Sequence, residues 1–135
     1  MVDKAQLLAM AAAAIGCRQK AYAPYSRYRV GAAVMGGSGN VHLGCNVENA
    51  SYGLTMCAER VAVFKAISEG ETAIQAVVIA VGAEEMPRPC GACLQVISEF
   101  AKDDRIPIVT VCGENTYETH TLRDYLPMPF RLEEI

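Results

Sequence analysis

The sequence predicts an α/β protein in which a mixed sheet of about five strands lies between layers of helices. Two observations support this fold class. Helical and buried-strand patterns alternate along the chain, and they form one continuous pattern without a linker or an internal repeat. The composition, with 52% hydrophobic and 20% charged residues over 135 positions, is typical of a globular domain. We therefore expect residues 1–135 to form a single domain.

A helical pattern begins the chain, over residues 3–21, and ends before Pro24 because the residue preceding a proline avoids the helical region. Two strand patterns follow, over residues 28–35 and 41–47. The glycine-rich segment 36–40 between them is typical of a hairpin loop. The first half of the sequence thus predicts a helix and a β-hairpin.

The second half repeats the alternation. A helix is predicted over residues 57–69, ending at Gly70, and is followed by the run Ile74–Val81, which is apolar except for Gln75 and is typical of a central strand. A third helix is predicted to start after Pro89 and to run to about residue 101. The remaining predicted elements are strands over 106–111 and 117–120 and a helical turn over 122–125.

Alternation within the predicted strand 41–47 separates two faces. We expect the apolar set to lie in the core, and its members are Val41, Leu43, Cys45 and Val47. Asn46 and Glu48 then stand side by side on the other face, where they could grip paired hydroxyl groups of a ligand. An ordinary solvated strand face is the simpler interpretation of the same pattern.

Charge and hydropathy exclude several classes of protein. Twelve basic and fifteen acidic residues give a formal charge of -3, so we expect no nucleic-acid partner. No apolar run has the length of a bilayer span, so we expect no membrane partner. The N-terminal segment fits an amphipathic helix better than a signal peptide, because Asp3 and Gln6 interrupt the signal pattern. Since the chain also needs reduced thiols, we expect a cytoplasmic protein.

Six cysteines fall into two groups. Cys17, Cys45 and Cys112 each lie alone among apolar neighbours, and we expect them to be small core residues. Cys90 and Cys93 form a Cys-x-x-Cys pair at a predicted helix start, which places both thiols on one face near the positive end of the helix dipole. Taken alone, this pair fits a redox dithiol, half of a structural zinc site or half of a catalytic zinc site.

The segment Cys57-Ala58-Glu59 adds a third thiol at a second helix start. Cys57 and Glu59 can face one cavity only if Cys57 lies at or before the helix cap, because positions i and i+2 are about 200° apart on a helix. No fourth cysteine or histidine has suitable spacing. Three protein ligands with an open position are typical of catalytic zinc, and an adjacent carboxylate can then move the protons of an activated water.

The chain resembles the small, homotetrameric, zinc-dependent cytidine deaminases over nearly its whole length. The segments that carry the resemblance are Tyr22-Ala23-Pro24-Tyr25-Ser26, Val30-Gly31-Ala32-Ala33, Gly44-Cys45-Asn46-Val47-Glu48-Asn49-Ala50, Cys57-Ala58-Glu59-Arg60 and Pro89-Cys90-Gly91-Ala92-Cys93 with Gln95. The paired cysteine motifs form the zinc-deaminase signature. The resemblance implies a three-layer α/β/α fold and hydrolytic deamination of cytidine and deoxycytidine in pyrimidine nucleoside salvage.

The resemblance also implies residue roles. Cys57, Cys90 and Cys93 would bind one zinc ion per subunit, and Glu59 would transfer protons. Substrate contacts are implied for Ala58 and Tyr28 at the base and for Asn46 and Glu48 at the ribose. Phe130 resembles a C-terminal aromatic residue that relatives place over the base in a neighbouring subunit. The implied assembly is a homotetramer with shared active sites.

Two positions depart from the family pattern. Leu94 stands where relatives carry an arginine, and Arg88 precedes the proline of the motif where they carry a small or neutral residue. Three thiolates around a dication leave a charge of about -1, which Arg60 offsets in part. Our hypothesis is that Arg88 supplies the missing positive charge; a solvated loop residue is the equal alternative.

Three other functions remain open at this point. A degenerate deaminase fold with a purely structural zinc would leave Glu59 and the Asn46–Glu48 pair unexplained. A thioredoxin-like redox pair would leave the third cysteine unexplained. A nucleic-acid editing enzyme would need a basic and aromatic platform, which this acidic chain lacks.

Overall fold

The computed structural model describes residues 1–82 and 85–133. Helices and strands occur in the predicted order. They are α1 (Lys4–Cys17), β1 (Val30–Gly36), β2 (Val41–Cys45), α2 (Ala58–Ser68), β3 (Ile74–Val81), α3 (Gly91–Phe100), β4 (Pro107–Cys112), β5 (Thr116–Thr121) and α4 (Leu122–Tyr125). The first helix is shorter than predicted, since a separate 3-10 turn covers Arg18–Lys20.

A mixed sheet of five strands forms the middle of the molecule, in the order β2-β1-β3-β4-β5. The pair β3–β4 is parallel, and the other three pairs are antiparallel. The central strand β3 is buried at every position except the half-buried Gln75, as its almost entirely apolar sequence predicts. The predicted mixed sheet is therefore confirmed.

Helices cover both faces of this sheet. Alternate residues of β1 divide between two cores: Ala32 and Val34 pack with residues of α2 and α3, whereas Ala33 and Met35 pack with residues of α1. This division is the period-two geometry of a strand that is buried on both sides. The three-layer α/β/α architecture is confirmed.

The face assignment in the second strand is wrong for Val41 and Val47, whereas Leu43 packs against the core that includes residues of α1 and Cys45 is half-buried. Val41 and Val47 are 41% and 44% exposed, whereas His42 and Asn46 are each only 8% exposed. The reason is that β2 lies at the edge of the sheet and α2 packs on the face that carries Gly44. The alternate set His42, Gly44 and Asn46 is thus the more deeply buried one.

Gly44 determines how closely α2 approaches this edge strand. A Cβ atom at position 44 would lie 2.5 Å from the nitrogen of Ala62 and 2.7 Å from the oxygen of Ala58, closer than real contacts allow. Only glycine therefore permits this approach. The close packing places the N-terminus of α2, which carries Cys57 and Glu59, beside the end of β2.

The three cysteines that were predicted to be core residues differ in burial. Cys112 is buried, as predicted, whereas Cys17 and Cys45 are only half-buried. The Cys17 thiol donates to the carbonyl oxygen of Gly44 at 3.3 Å, between the end of α1 and the end of β2. Burial, followed by the neighbouring Cys45, raises the pKa of the Cys17 thiol, so it stays protonated at neutral pH.

Candidate metal centre and active site

Three cysteine thiols converge from the starts of two helices. Cys57 is the N-cap residue of α2 and Cys90 that of α3, both with extended backbone, and Cys93 follows in the first turn of α3. Their sulfur atoms all lie within 4.8 Å of one another, and those of Cys90 and Cys93 are 3.4 Å apart. The predicted position of Cys57 at a helix boundary is confirmed.

Hydrogen bonds favour the thiolate form of Cys57. A hydrogen bond from Cys93 and the neighbouring guanidinium of Arg60 hold the pKa of the Cys57 thiol at about 5, despite its partial burial. Nη2 of Arg60 donates to the Cys57 sulfur at 3.3 Å. The pKa of Cys93 is raised, chiefly because its proton is shared with the Cys57 sulfur. Zinc binds the thiolate form, so metal binding at this cluster is expected to release protons.

This donor set fits zinc. Thiolate sulfur is a preferred zinc ligand, and the two helix N-termini add positive partial charge next to it. Among the described residues, no histidine, aspartate, glutamate or further cysteine joins the cluster. The protein therefore supplies three ligands and leaves one position for water or substrate, which is the pattern of a catalytic site.

Glu59 carries the carboxyl group next to this cluster in the sequence, and it is only 5% exposed. Burial, followed by the negative charge of Cys57, raises the pKa of its carboxyl group. Glu59 lies in the first turn of α2, two positions after the Cys57 cap, and both residues line one cavity. A carboxyl group with a raised pKa beside a metal position is suited to proton transfer.

That cavity has a volume of about 250 Å³. Four of the residues predicted to contact substrate line it, together with Cys57, Glu59, Cys90 and Arg88. The four are Tyr28, Asn46, Glu48 and Ala58. The fold thus brings predicted residues that flank β1 and β2 and predicted residues from both helix starts into one concave site. Cys93, Arg60 and Phe130 do not line it.

Asn46 is already bonded on both sides of its amide. Its Oδ1 accepts from the backbone nitrogen of Val30, and its Nδ2 donates to the carbonyl oxygen of Tyr28, each at 2.8 Å. Asn46 therefore fixes the backbone that carries the Tyr28 ring. One amide proton and one lone pair remain for another partner.

Glu48 binds the loop that follows Pro24. Its Oε1 accepts from the backbone nitrogens of Tyr25 at 2.9 Å and Ser26 at 3.2 Å, and its Oε2 accepts from the Ser26 hydroxyl. The Ser26 hydroxyl is the main cause of the lowered pKa of this carboxyl group, which is therefore ionised at neutral pH. Ser26 also lines the cavity; the sequence placed it in a family segment but predicted no role for it.

Phe130 lies outside the cavity and is 71% exposed. Its carbonyl oxygen accepts a hydrogen bond from Nε2 of Gln95 at 3.0 Å, so α3 holds the C-terminal segment.

Leu94, in place of the family arginine, is 6% exposed and belongs to the core that α2 and α3 share. The guanidinium of Arg88 is paired with Glu118 at 2.8 Å.

Fold and site together define an enzyme class: a zinc-dependent hydrolytic deaminase. The family model for the cytidine and deoxycytidylate deaminase zinc-binding region matches residues 4–110. A cytidine deaminase of Halalkalibacterium halodurans is 42% identical over 90% of this chain and 92% of its own length. That of Sporosarcina psychrophila is 40% identical over 87% and 86%. A crystal structure of the Burkholderia pseudomallei cytidine deaminase superposes with a TM-score of 0.85 at 41% identity, covering 90% of this chain and 97% of that one.

The chain belongs to the cytidine and deoxycytidylate deaminase family. It is an enzyme of that family with one three-cysteine zinc site per subunit.

Proposed function

We propose that this chain hydrolyses the C4 amine of cytidine and deoxycytidine, giving uridine and deoxyuridine with ammonia. The observation that carries the proposal is the shared cavity: two of three convergent thiols line the same concave site as the buried Glu59. Nothing in this arrangement favours a purely structural zinc, which would be closed by a fourth protein ligand.

Glu59 is assigned the proton transfers. Bound zinc lowers the pKa of water and so supplies a nucleophile near neutral pH. Glu59 takes a proton from the attacking water and gives it to N3 of the pyrimidine, and a C–O bond forms at C4. Glu59 then takes the proton of the new C4 hydroxyl group and delivers it to the amine, so that the C4 carbonyl forms as the C4–N bond breaks and ammonia leaves. The raised pKa of this buried carboxyl group supports both directions of transfer.

The remaining cavity residues are assigned to substrate binding. Tyr28 contacts the base with its ring, and the backbone at Ala58 contacts the polar edge of the base. Glu48 and the free amide proton of Asn46 bind the ribose hydroxyl groups. Both side chains keep their hydrogen bonds to the protein backbone, at Tyr25 and at Tyr28, when the ribose binds. Arg60 offsets the negative charge of the three thiolates through its bond to Cys57.

The proposed assembly is a homotetramer with shared active sites, acting as a single-domain cytoplasmic enzyme of pyrimidine salvage. An exposed apolar tail supports the assembly: Met128 is 88%, Phe130 71% and Leu132 85% exposed. Such side chains are expected to be covered in a working complex. Within the described residues, no helix combines the length and apolar character needed to cross a bilayer.

An ultraviolet assay of purified protein with cytidine and deoxycytidine, run beside a zinc determination, tests the proposal. We expect about one zinc per chain and loss of the cytidine absorbance with release of ammonia. One zinc per chain without turnover of either nucleoside would instead support the degenerate, structural-zinc alternative.

A further inference from the structure

The segment that leads into the zinc ligand Cys90 has few polar ties to the rest of the fold. Pro87 and Pro89 are buried but have no N–H group to donate. Between described residues, no backbone hydrogen bond joins residues 85–89 to another element. The orientation of this segment therefore depends on side chains.

Arg88 makes the ionic tie. Its Nη1 lies 2.8 Å from Oε1 of Glu118, and its Nη2 lies 3.4 Å from Oε2 of the same carboxylate. This is the paired geometry in which an arginine fork restricts orientation as well as distance. Arg88 also lines the catalytic cavity beside Cys90.

The carboxylate partner is itself held in place. Glu118 lies in β5 opposite Thr110 of β4, so its backbone belongs to the sheet. Nε2 of His120 lies 2.6 Å from the same Oε1 atom of Glu118. The ring of His120 packs edge-on against Tyr125, with centroids 5.4 Å apart. Arg88 is thus fastened to a part of the sheet that does not belong to the zinc site.

We propose that Arg88 is a positioning residue, which holds the Cys90 segment against the sheet through Glu118. This replaces the hypothesis that Arg88 acts as a free positive charge on the metal. A guanidinium that is paired with a carboxylate contributes little net field at a distance, whereas a fork anchored to a strand fixes the backbone two residues before a ligand.

Zinc release into a chromogenic chelator tests this inference without substrate, so its outcome is independent of the proposed function. The variants are Arg88→Ala, Glu118→Ala and the double variant in the zinc-loaded protein. We expect each single change to speed zinc release by roughly 2- to 10-fold, between the effect of an exposed ion pair and that of a group orienting a metal ligand. The double variant should release zinc no faster than the singles, because both remove one tie.

Glu118→Ala separates positioning from charge. If Arg88 acted as a compensating charge, removing its carboxylate partner would strengthen that charge and slow zinc release. A positioning role predicts faster zinc release from Glu118→Ala. It also predicts that the exchanged pair, Arg88→Glu with Glu118→Arg, brings the rate of zinc release a large part of the way back to that of the parent.

The matched control is Arg123→Ala, which removes an exposed positive charge beside the end of β5. Release from this variant should match the parent. Cobalt-substituted protein gives a second measurement, since its thiolate absorption bands report sulfur geometry and should shift in both single variants. Unchanged release and unchanged bands in both, or slower release from Glu118→Ala, would overturn the inference.

Discussion

Asn46 offers a direct test of how the cavity is built. Asn46→Ala removes two hydrogen bonds of 2.8 Å, to the backbone nitrogen of Val30 and the carbonyl of Tyr28. A buried backbone group without a partner costs about 1–3 kcal/mol, and water entering from the cavity offsets part of this cost. We expect the free energy of unfolding to fall by about 2–3 kcal/mol. Urea unfolding of the zinc-loaded protein measures the loss.

The same variant separates the structural role of Asn46 from its proposed contact with ribose. The parent enzyme should use 3′-deoxycytidine at least about tenfold less efficiently than cytidine, as kcat/KM, because a lost hydroxyl leaves polar groups unpaired. If Asn46 contacts that hydroxyl, Asn46→Ala narrows the ratio between the two substrates. If Asn46 only supports Tyr28, both substrates lose equally and the ratio is unchanged.

Gln75 provides the matched control. Its Nε2 donates to the carbonyl oxygen of Gly36 at 2.8 Å, in the hairpin distant from the cavity. Gln75→Ala should cost about 0.5–1.5 kcal/mol and leave the substrate ratio unchanged. An Asn46→Ala protein as stable as the Gln75→Ala protein would refute the assignment of two structural bonds to Asn46.

Three further predictions follow from the same geometry. Glu59→Gln should lower kcat by roughly 10²- to 10⁴-fold with zinc still bound; near-normal turnover of a zinc-loaded variant would remove Glu59 from the mechanism. Deleting the chain from Met128 onward should raise KM and reduce the sedimenting mass, whereas an active monomer would contradict the shared site. The carboxyl group of Glu71 has a pKa lowered from 4.5 to about 2, mainly by its hydrogen bond with Ser38 and next by that with His42. The ionised Glu71 carboxylate therefore stabilises the folded protein fully above pH 4.5, and this contribution is lost as the pH falls through 2. The urea unfolding midpoints of Glu71→Gln and the parent should therefore converge towards pH 2.

The sequence predicts the elements well because they have strong local signals. The strand Ile74–Val81 is apolar except for Gln75 and has the predicted bounds, and the cysteines of both motifs mark the helix starts on which they lie. These signals come from neighbouring residues, so that no knowledge of tertiary packing is needed to interpret them.

Long-range packing accounts for what the sequence could not predict. The face of β2 that is buried depends on α2, which approaches it because of Gly44, and local alternation alone does not specify which side a later helix covers. The partner of Arg88 lies thirty positions away on β5, and only the sheet register places Glu118 beside it. Alternation in the second strand indicated two faces, and tertiary structure decided which was inside.

Gly44 gives the metal site a dependence on the spacing between layers. Cys57 lies at the start of α2, whereas Cys90 and Cys93 lie at the start of α3. The three sulfur atoms therefore stay close together only if both helices keep their distances from the sheet. Any side chain at position 44 would lift one helix and carry a single ligand away from the other two. Zinc affinity in this protein is therefore sensitive to the distance between α2 and the sheet. A zinc titration would detect distortions of helix packing that are too small to alter the fold.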